Sequence, residues 1–466
     1  MINPGRDDTK DVQLSKGLVR RVFKFAKPYR GSIVLAMIVI LAAAVATGLG
    51  PQIIRRIIDE AITHRDKAKL NLLIALFLGL ALAGSFLGIA MRYLLSRIGE
   101  GLIFDLRSSL FDHVQRMPVA FFTRTQTGAL ISRLNNDVIG AQRAVTETTA
   151  GLLQVIADLV VTLALMWSMQ PRLTVISLLV VPLFVLPIRS MGKVLQRYVR
   201  QQMEFNASMN TQMTERFQIG GALLVKLFGN YVKERDHFAQ KAGNVRDLGV
   251  KTAVIGRLFF VTFSVVSAFG TAMTYWLGGR MAISGEIKVG VIVAFSLYLG
   301  RLYGPITGLS NTPVEVKTAL VSFDRVFEVL DFPSAIQQKP DAVELTDPRG
   351  KVEFVGVRFR YPPGSETSIP SLEEGRIDTK YDPEAWVLKD VSFTIEPGQM
   401  FALVGPSGAG KTTISMLVPR LYDAVDGTVL IDGIDVKDLT LPSLAASVGV
   451  VTQDSHMFHD TIRANL

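Results

Sequence analysis

Eight consecutive residues carry the clearest chemistry in this chain: Gly405-Pro406-Ser407-Gly408-Ala409-Gly410-Lys411-Thr412. They satisfy the spacing of a phosphate-cradling loop, in which a glycine is followed, after four intervening residues, by Gly-Lys-Thr. Glycines let backbone N–H groups close around phosphate oxygens, the lysine neutralises the outer phosphates, and the threonine hydroxyl can hold Mg²⁺. An ordinary Gly-rich strand-to-helix turn needs neither Lys nor Thr at those offsets. ATP is therefore the expected ligand, cradled by 405–413 with Lys411 on its outer phosphates, Thr412 toward Mg²⁺ and Thr413 following on. No other constellation competes. His456 and His459 form an H-x-x-H pair without a third ligand nearby, and no Ser/His/Asp set or carboxylate pair suggests further chemistry. With no cysteine, thiolate metal sites and disulfides are excluded.

Such a loop must lie between a strand and a helix, and the flanking sequence supplies both: 400–404 reads as a strand and a helix starts near Thr412. Further strand signals at 352–355, 391–395, 428–431 and 448–452, separated by Gly/Pro/Asp turns, predict an α/β nucleotide-binding domain. The boundary falls after Phe332-Pro333, where long apolar runs give way to a polar stretch. We assign 1–335 to one domain, 336–350 to a linker and 351–466 to the nucleotide-binding part.

The upstream part is of another kind. Of the 466 residues 49% are hydrophobic, and the mean hydropathy is +0.32, which points to lipid as part of the solvent. Uncharged or nearly uncharged runs at 31–54, 70–91, 148–171, 173–188, 258–279 and 289–314 each approach the length of a spanning helix. The expectation is a polytopic α-helical membrane domain with six transmembrane helices. The connecting segments 92–147 and 189–257 are long and rich in Lys/Arg, so they are expected in the cytoplasm, with the short connections outside. That placement accounts for much of the net charge of +9 without nucleic acid, which is not expected as a partner. Residues 98–117 show helical apolar spacing at Leu102, Leu106, Leu110 and Val114, so the helices should run on beyond the bilayer. Asp158 and Arg301 interrupt apolar runs. A charge in hydrocarbon is costly, so each is expected to face the bundle interior or water, with a substrate-path or gating role.

A phosphate loop behind such a membrane region resembles the half-transporters of the ATP-binding cassette exporter family. In the membrane half the resemblance rests on Phe121-Phe122-Thr123-Arg124-Thr125-Gln126-Thr127-Gly128-Ala129-Leu130 and on Val225-Lys226-Leu227-Phe228, where that family places its coupling helices. Around the loop it rests on Val391-Ser392-Phe393, Arg420-Leu421-Tyr422-Asp423, Ile431-Asp432-Gly433 and Val451-Thr452-Gln453-Asp454. It implies ATP-driven export of a hydrophobic small molecule, lipid or peptide by alternating access, in a multi-pass protein of the cytoplasmic membrane with its nucleotide domain in the cytoplasm. A second half-transporter, identical or related, is the implied partner. The same resemblance makes Tyr361 the aromatic that stacks on adenine and Gln453 the residue touching Mg²⁺ and the attacking water. Read alone, Tyr361 is a strand-end aromatic that suits a core, and Gln453 a solvated turn residue.

Two departures from the family pattern follow. Between Pro362 and Val387 a longer polar insertion bearing Glu366, Glu373, Glu374, Asp378, Asp382 and Glu384 replaces a short hairpin and reads as a mobile surface flap. The sequence ends at Leu466, before the family's signature motif, Walker B aspartate, catalytic glutamate and switch histidine. The expectation is a C-terminally truncated nucleotide domain without turnover of its own; the alternatives are a nucleotide-binding partner subunit without hydrolysis and a regulatory P-loop membrane protein.

Overall fold

A computed structural model of the chain describes residues 17–308, 312–373, 385–452 and 456–465. A short α1 (Leu18–Phe25) leads into α2 (Arg30–Gly48) and α3 (Gly50–Arg56), then α4 (Lys67–Gln115), α5 (Val119–Arg124), α6 (Thr127–Ser132) and α7 (Val138–Arg143). The helical part continues as α8 (Thr149–Met169), α9 (Pro171–Phe217), α10 (Ile219–Phe228), α11 (Tyr231–Ile283), α12 (Val289–Gly308) and α13 (Thr312–Asp331). Apolar runs become helices because a helix satisfies every backbone group internally, which lipid cannot do for it. Four stretches are long and apolar enough to cross a membrane: Lys27–Ile62, Lys67–Gln115, Thr127–Met169 and Tyr231–Ile283. They contain the first, second, third and fifth apolar runs. The fourth and sixth runs lie in α9 and α12, whose described apolar stretches, Pro171–Val180 and Val289–Leu302, fall short of a span. The expected count of six therefore stands at four among the described residues.

Helices α4, α9 and α11 have 49, 47 and 53 residues. At 1.5 Å per residue each reaches about 70–80 Å, more than twice the thickness of a hydrocarbon core. The apolar stripe expected beyond the bilayer is in place, since Ile98, Leu102, Leu106, Leu110 and Val114 are all buried.

By packing, the chain falls into two compact units, Met1–Asp105 with Val138–Asp324, and Leu106–Asp137 with Arg325–Leu466. In the first, α2 buries every fourth residue, Ala36, Ile40, Ala44 and Gly48, and exposes Val34, Leu35, Ile38 and Leu41 as a lipid-facing side. Small residues let α8 approach closely: a Cβ on Gly48 would stand 2.9 Å from the Val161 Cγ1. Phe295, Tyr298, Leu299 and Leu302 of α12 form a core with Met166 of α8 and Leu173 and Val180 of α9.

The second unit is built on a four-stranded antiparallel sheet of β1 (Val352–Phe359), β2 (Leu388–Ile395), β3 (Asp426–Ile431) and β4 (Ile434–Asp435), in the order β2-β1-β3-β4. Phe354 lies opposite Phe393 and Val429, and irregular pairing around Gly356 turns Val357 and then Phe359 into the core. Asp432 and Gly433, with φ of 51° and 83°, close the β3–β4 hairpin in the left-handed conformation that a two-residue turn demands. The Asp432 carboxylate accepts the backbone N–H of Arg349 and Lys351 at 2.7 and 2.9 Å and of Gly350 at 3.3 Å. Burial works to raise its pKa, but these three donors outweigh it and hold the carboxyl below the usual carboxylate range.

The expected strands at 400–404 and 448–452 do not form. Neither has a ladder partner among the described residues, and Met400, Val404 and Val451 are 96%, 92% and 99% exposed. A strand has no internal hydrogen bonds, so an apolar run becomes one only where a neighbour pairs with it. The described sheet is antiparallel throughout, in the order β2-β1-β3-β4, and neither segment pairs with it.

Candidate nucleotide-binding site

The loop 405–410 leads into α14 (Lys411–Leu417), so the strand-loop-helix context is met on its helical side. Gly408 and Gly410 have φ of 83° and 85°, a conformation in which an L side chain is strained. At Gly410 there is also no room, because a Cβ would lie 2.7 Å from the Leu388 Cδ2. The loop is tightened by the Ala409 N–H donating to the Pro406 carbonyl at 3.2 Å. Lys411 folds back over it, its Nζ donating to the carbonyl oxygens of Gly405 and Pro406 at 2.9 and 2.8 Å. The ammonium is thus held within the curve of the loop on acceptors that phosphate oxygens can replace. Thr412 is exposed at the first turn of α14, and Thr413 beside it is buried. A nucleoside triphosphate with Mg²⁺ fits this donor set: an ammonium, backbone N–H groups and an exposed hydroxyl.

Tyr361 stands next to the loop, its hydroxyl 3.0 Å from the Thr413 Oγ1. Its ring meets Phe359 and Tyr422 edge to face, with centroids 5.0 and 5.3 Å away. That packing is what the residue's type alone suggested, a strand-end aromatic on the domain core. Two residues before Tyr422, buried Arg420 donates through Nε to the Asp423 Oδ1 at 2.9 Å, and its guanidinium reaches the Gln337 and Lys437 carbonyls. Gln453 lies outside the described residues. Sequence reasoning missed Trp386, over which the Arg358 and Arg360 guanidinium carbons sit at 4.2 and 5.5 Å from the ring centroid. The alternation of Arg358 and Arg360 on one strand face was legible; the tryptophan they share lies across the insertion and was not.

In the membrane unit, Arg301 and Asp158 come together, Nη2 to Oδ1, at 3.9 Å. The arginine has a second attachment. Its Nη1 donates to the Thr47 carbonyl at 2.5 Å and its Nη2 to the Thr47 hydroxyl at 2.7 Å. Pro51 explains this bond, because the residue four places after Thr47 has no N–H to give. One turn away along α12, the Tyr298 hydroxyl donates to the Gly48 carbonyl at 2.7 Å. The pair therefore lies where the first apolar helix breaks between α2 and α3.

The insertion is not a surface flap over its described part. Thr367, Ser368, Ile369 and Leu372 are all buried, and the Leu372 carbonyl accepts the Gln126 N–H at 3.0 Å.

Comparison with known proteins settles the family. The profile of the ABC transporter transmembrane region matches residues 33–306, more than half of the chain, and the profile of the ABC transporter ATP-binding part, described as ABC transporter, matches 388–465. The chain belongs to the ABC transporter family. It is 28% identical over 452 residues to an ATP-dependent lipid A-core flippase of Desulfotalea psychrophila, covering 97% of this chain and 75% of the flippase. It is 29% identical to an ABC transporter ATP-binding protein of Bacillus subtilis, over 97% of this chain and 71% of that one. A fatty acid ABC transporter ATP-binding/permease protein of Mycobacterium bovis is 30% identical over 86% of this chain and 60% of its own length. The resemblance drawn from the motifs is thereby confirmed, and with it a helical membrane region followed by an ATP-binding region. As an ABC transporter the chain is a multi-pass membrane protein that couples ATP to export.

Proposed function

We propose that this ABC transporter exports a hydrophobic or amphiphilic substrate across the cytoplasmic membrane by alternating access, as one half of a dimer with an identical or related half-transporter. The observation that carries the reading is the presence on one chain of both family regions, 33–306 and 388–465. The names of the relatives, a lipid A-core flippase and a fatty acid transporter, favour a lipid or lipid-like substrate. Six spans returning both chain ends to the cytoplasm suit the long basic connections. The domain division is proposed at 1–335, 336–350 and 351–466.

In this reading the backbone N–H groups of 405–410 enclose the phosphates, and Lys411 leaves the Gly405 and Pro406 carbonyls to neutralise them. Thr412 and Gln453 would hold Mg²⁺, which supplies charge neutralisation on the transferred phosphoryl, and Gln453 would also orient the attacking water. Tyr361, fixed to Thr413, would lie against adenine. Asp158 and Arg301, beside the break between α2 and α3, are proposed to gate the substrate path: a break held by Arg301 through Thr47 can change angle when the arginine shifts between Thr47 and Asp158.

The test is binding of a fluorescent ATP analogue with Mg²⁺ to the purified chain in lipid nanodiscs. Losing the charge-assisted contacts of one lysine is expected to weaken binding about 10–100-fold in Lys411→Ala. Equal affinity of the two proteins would remove the loop from the nucleotide site.

A further inference from the structure

The insertion after Tyr361 has its described length pressed against the first long connection of the membrane region, inside one compact unit. Thr125 and Glu373 form an antiparallel bridge, and next to it the Gln126 N–H donates to the Leu372 carbonyl. Arg133, 6% exposed, donates through Nη2 to the Ser371 hydroxyl at 2.7 Å, and that hydroxyl donates on to Glu328 at 2.8 Å. The Arg133 Nη2 also stands 3.3 Å from the same Glu328 oxygen. Ser368 donates to the Glu373 carboxylate, and a Cβ on Gly364 would fall 2.7 Å from the Arg124 Nη1. Leu372 and Ile369 are each 2% exposed, so this is packed contact and not a polar loop lying on a surface.

Both roots of the insertion meet the phosphate loop. On the near side the Tyr361 hydroxyl touches Thr413. On the far side Val387 is tied to β1 through its N–H to the Phe359 carbonyl at 2.8 Å, and Leu388 fills the space that a side chain at Gly410 would need. With Tyr361 on Thr413, Leu388 against Gly410 and residues 364–373 bonded to 124–133, the described part of the insertion is placed to carry a change at the phosphate loop to that connection. A loop merely tolerated at the surface has no need to bury four residues or to supply a strand-like bridge.

We propose that residues 364–373 form a transmission strap that conveys nucleotide occupancy of the phosphate loop to residues 119–132 of the same chain. The inference rests on the reading of 405–413 as the nucleotide site and goes beyond it, because nothing in that reading requires the insertion. Arg133 and Ser371 act in it as positioning residues.

The test is hydrogen–deuterium exchange of the full chain in nanodiscs, with and without a non-hydrolysable ATP analogue and Mg²⁺, alongside the analogue's Kd. In the unaltered chain nucleotide is expected to slow exchange in 119–132 by about threefold or more. Replacing 367–372 by a Gly-Ser linker should leave the Kd within about twofold and abolish that slowing. Should the linker variant fail to fold, Ser371→Ala with Leu372→Ala is expected to lose at least half of the response at the same Kd. Slowing that persists in these variants overturns the strap, as does nucleotide binding in the unaltered chain without any slowing. A Kd raised more than about tenfold in the Ser371→Ala, Leu372→Ala protein also overturns it, since the segment would then belong to the nucleotide site. Absence of nucleotide binding to the unaltered chain sinks the nucleotide-site reading itself, and the strap with it.

Discussion

Gly408 and Gly410 look alike in sequence, and both adopt left-handed backbone, with φ of 83° and 85°. Their surroundings differ. Nothing stands within 4 Å of where a Cβ on Gly408 would be, whereas one on Gly410 meets Leu388 at 2.7 Å. Gly408→Ala should therefore carry only the backbone cost, about 1–2 kcal/mol, while Gly410→Ala adds a clash that must push β2 or the loop aside. Thermal unfolding of the two variants is expected to place Gly410→Ala clearly lower, with ATP affinity more affected in the same order. Equal losses in both would mean that the contact with Leu388 relaxes freely. The chemistry of the site was legible at this scale: Lys411 and Thr412 follow from spacing alone. The environment of Tyr361 was not, because its partners Phe359, Thr413 and Tyr422 become neighbours only once strand and helix have packed.

Among the elements, the break between α2 and α3 shows how a charge inside a membrane bundle can serve a structural end. Pro51 leaves the Thr47 carbonyl without its helical donor, and Arg301 supplies one from α12 while pairing with Asp158. Arg301→Gln should lower the melting temperature, and a smaller loss is expected in a Pro51→Ala background, where the residue-51 N–H can reach Thr47. Equal losses in both backgrounds would show that the arginine does not serve the break. Unchanged export in Arg301→Gln or in Asp158→Asn would end the gating proposal whatever the stability shows. Hydrophobic periodicity foretold that α2 and α4 are helices and that Leu102, Leu106 and Leu110 face inward. It also suggested strands at 400–404 and 448–452 that do not form, since β-propensity states what fits a sheet and not whether a partner exists.

For the molecule as a whole, the number of membrane crossings decides which side each connection occupies. The chain has no cysteine, so single introduced ones report without background. With six spans, Arg65→Cys and Gly285→Cys should react with an impermeant maleimide in intact cells, while Asp112→Cys and Gln240→Cys should react only after permeabilisation. If only the four long apolar helices crossed, Gln240→Cys would label from outside and Gly285→Cys would not. Sequence by itself determined the family, the apolar runs, the phosphate loop and the basic connections, because each is written in local spacing or composition and needs no neighbour to be read. Tertiary structure alone decided that residues 367–372 of the polar insertion pack against 124–133, that Arg301 mends a break made by Pro51, and that Trp386 lies under two arginines. Those contacts join residues far apart along the chain. Their chemistry depends on which surfaces packing brings within a few ångströms, and local spacing does not record that.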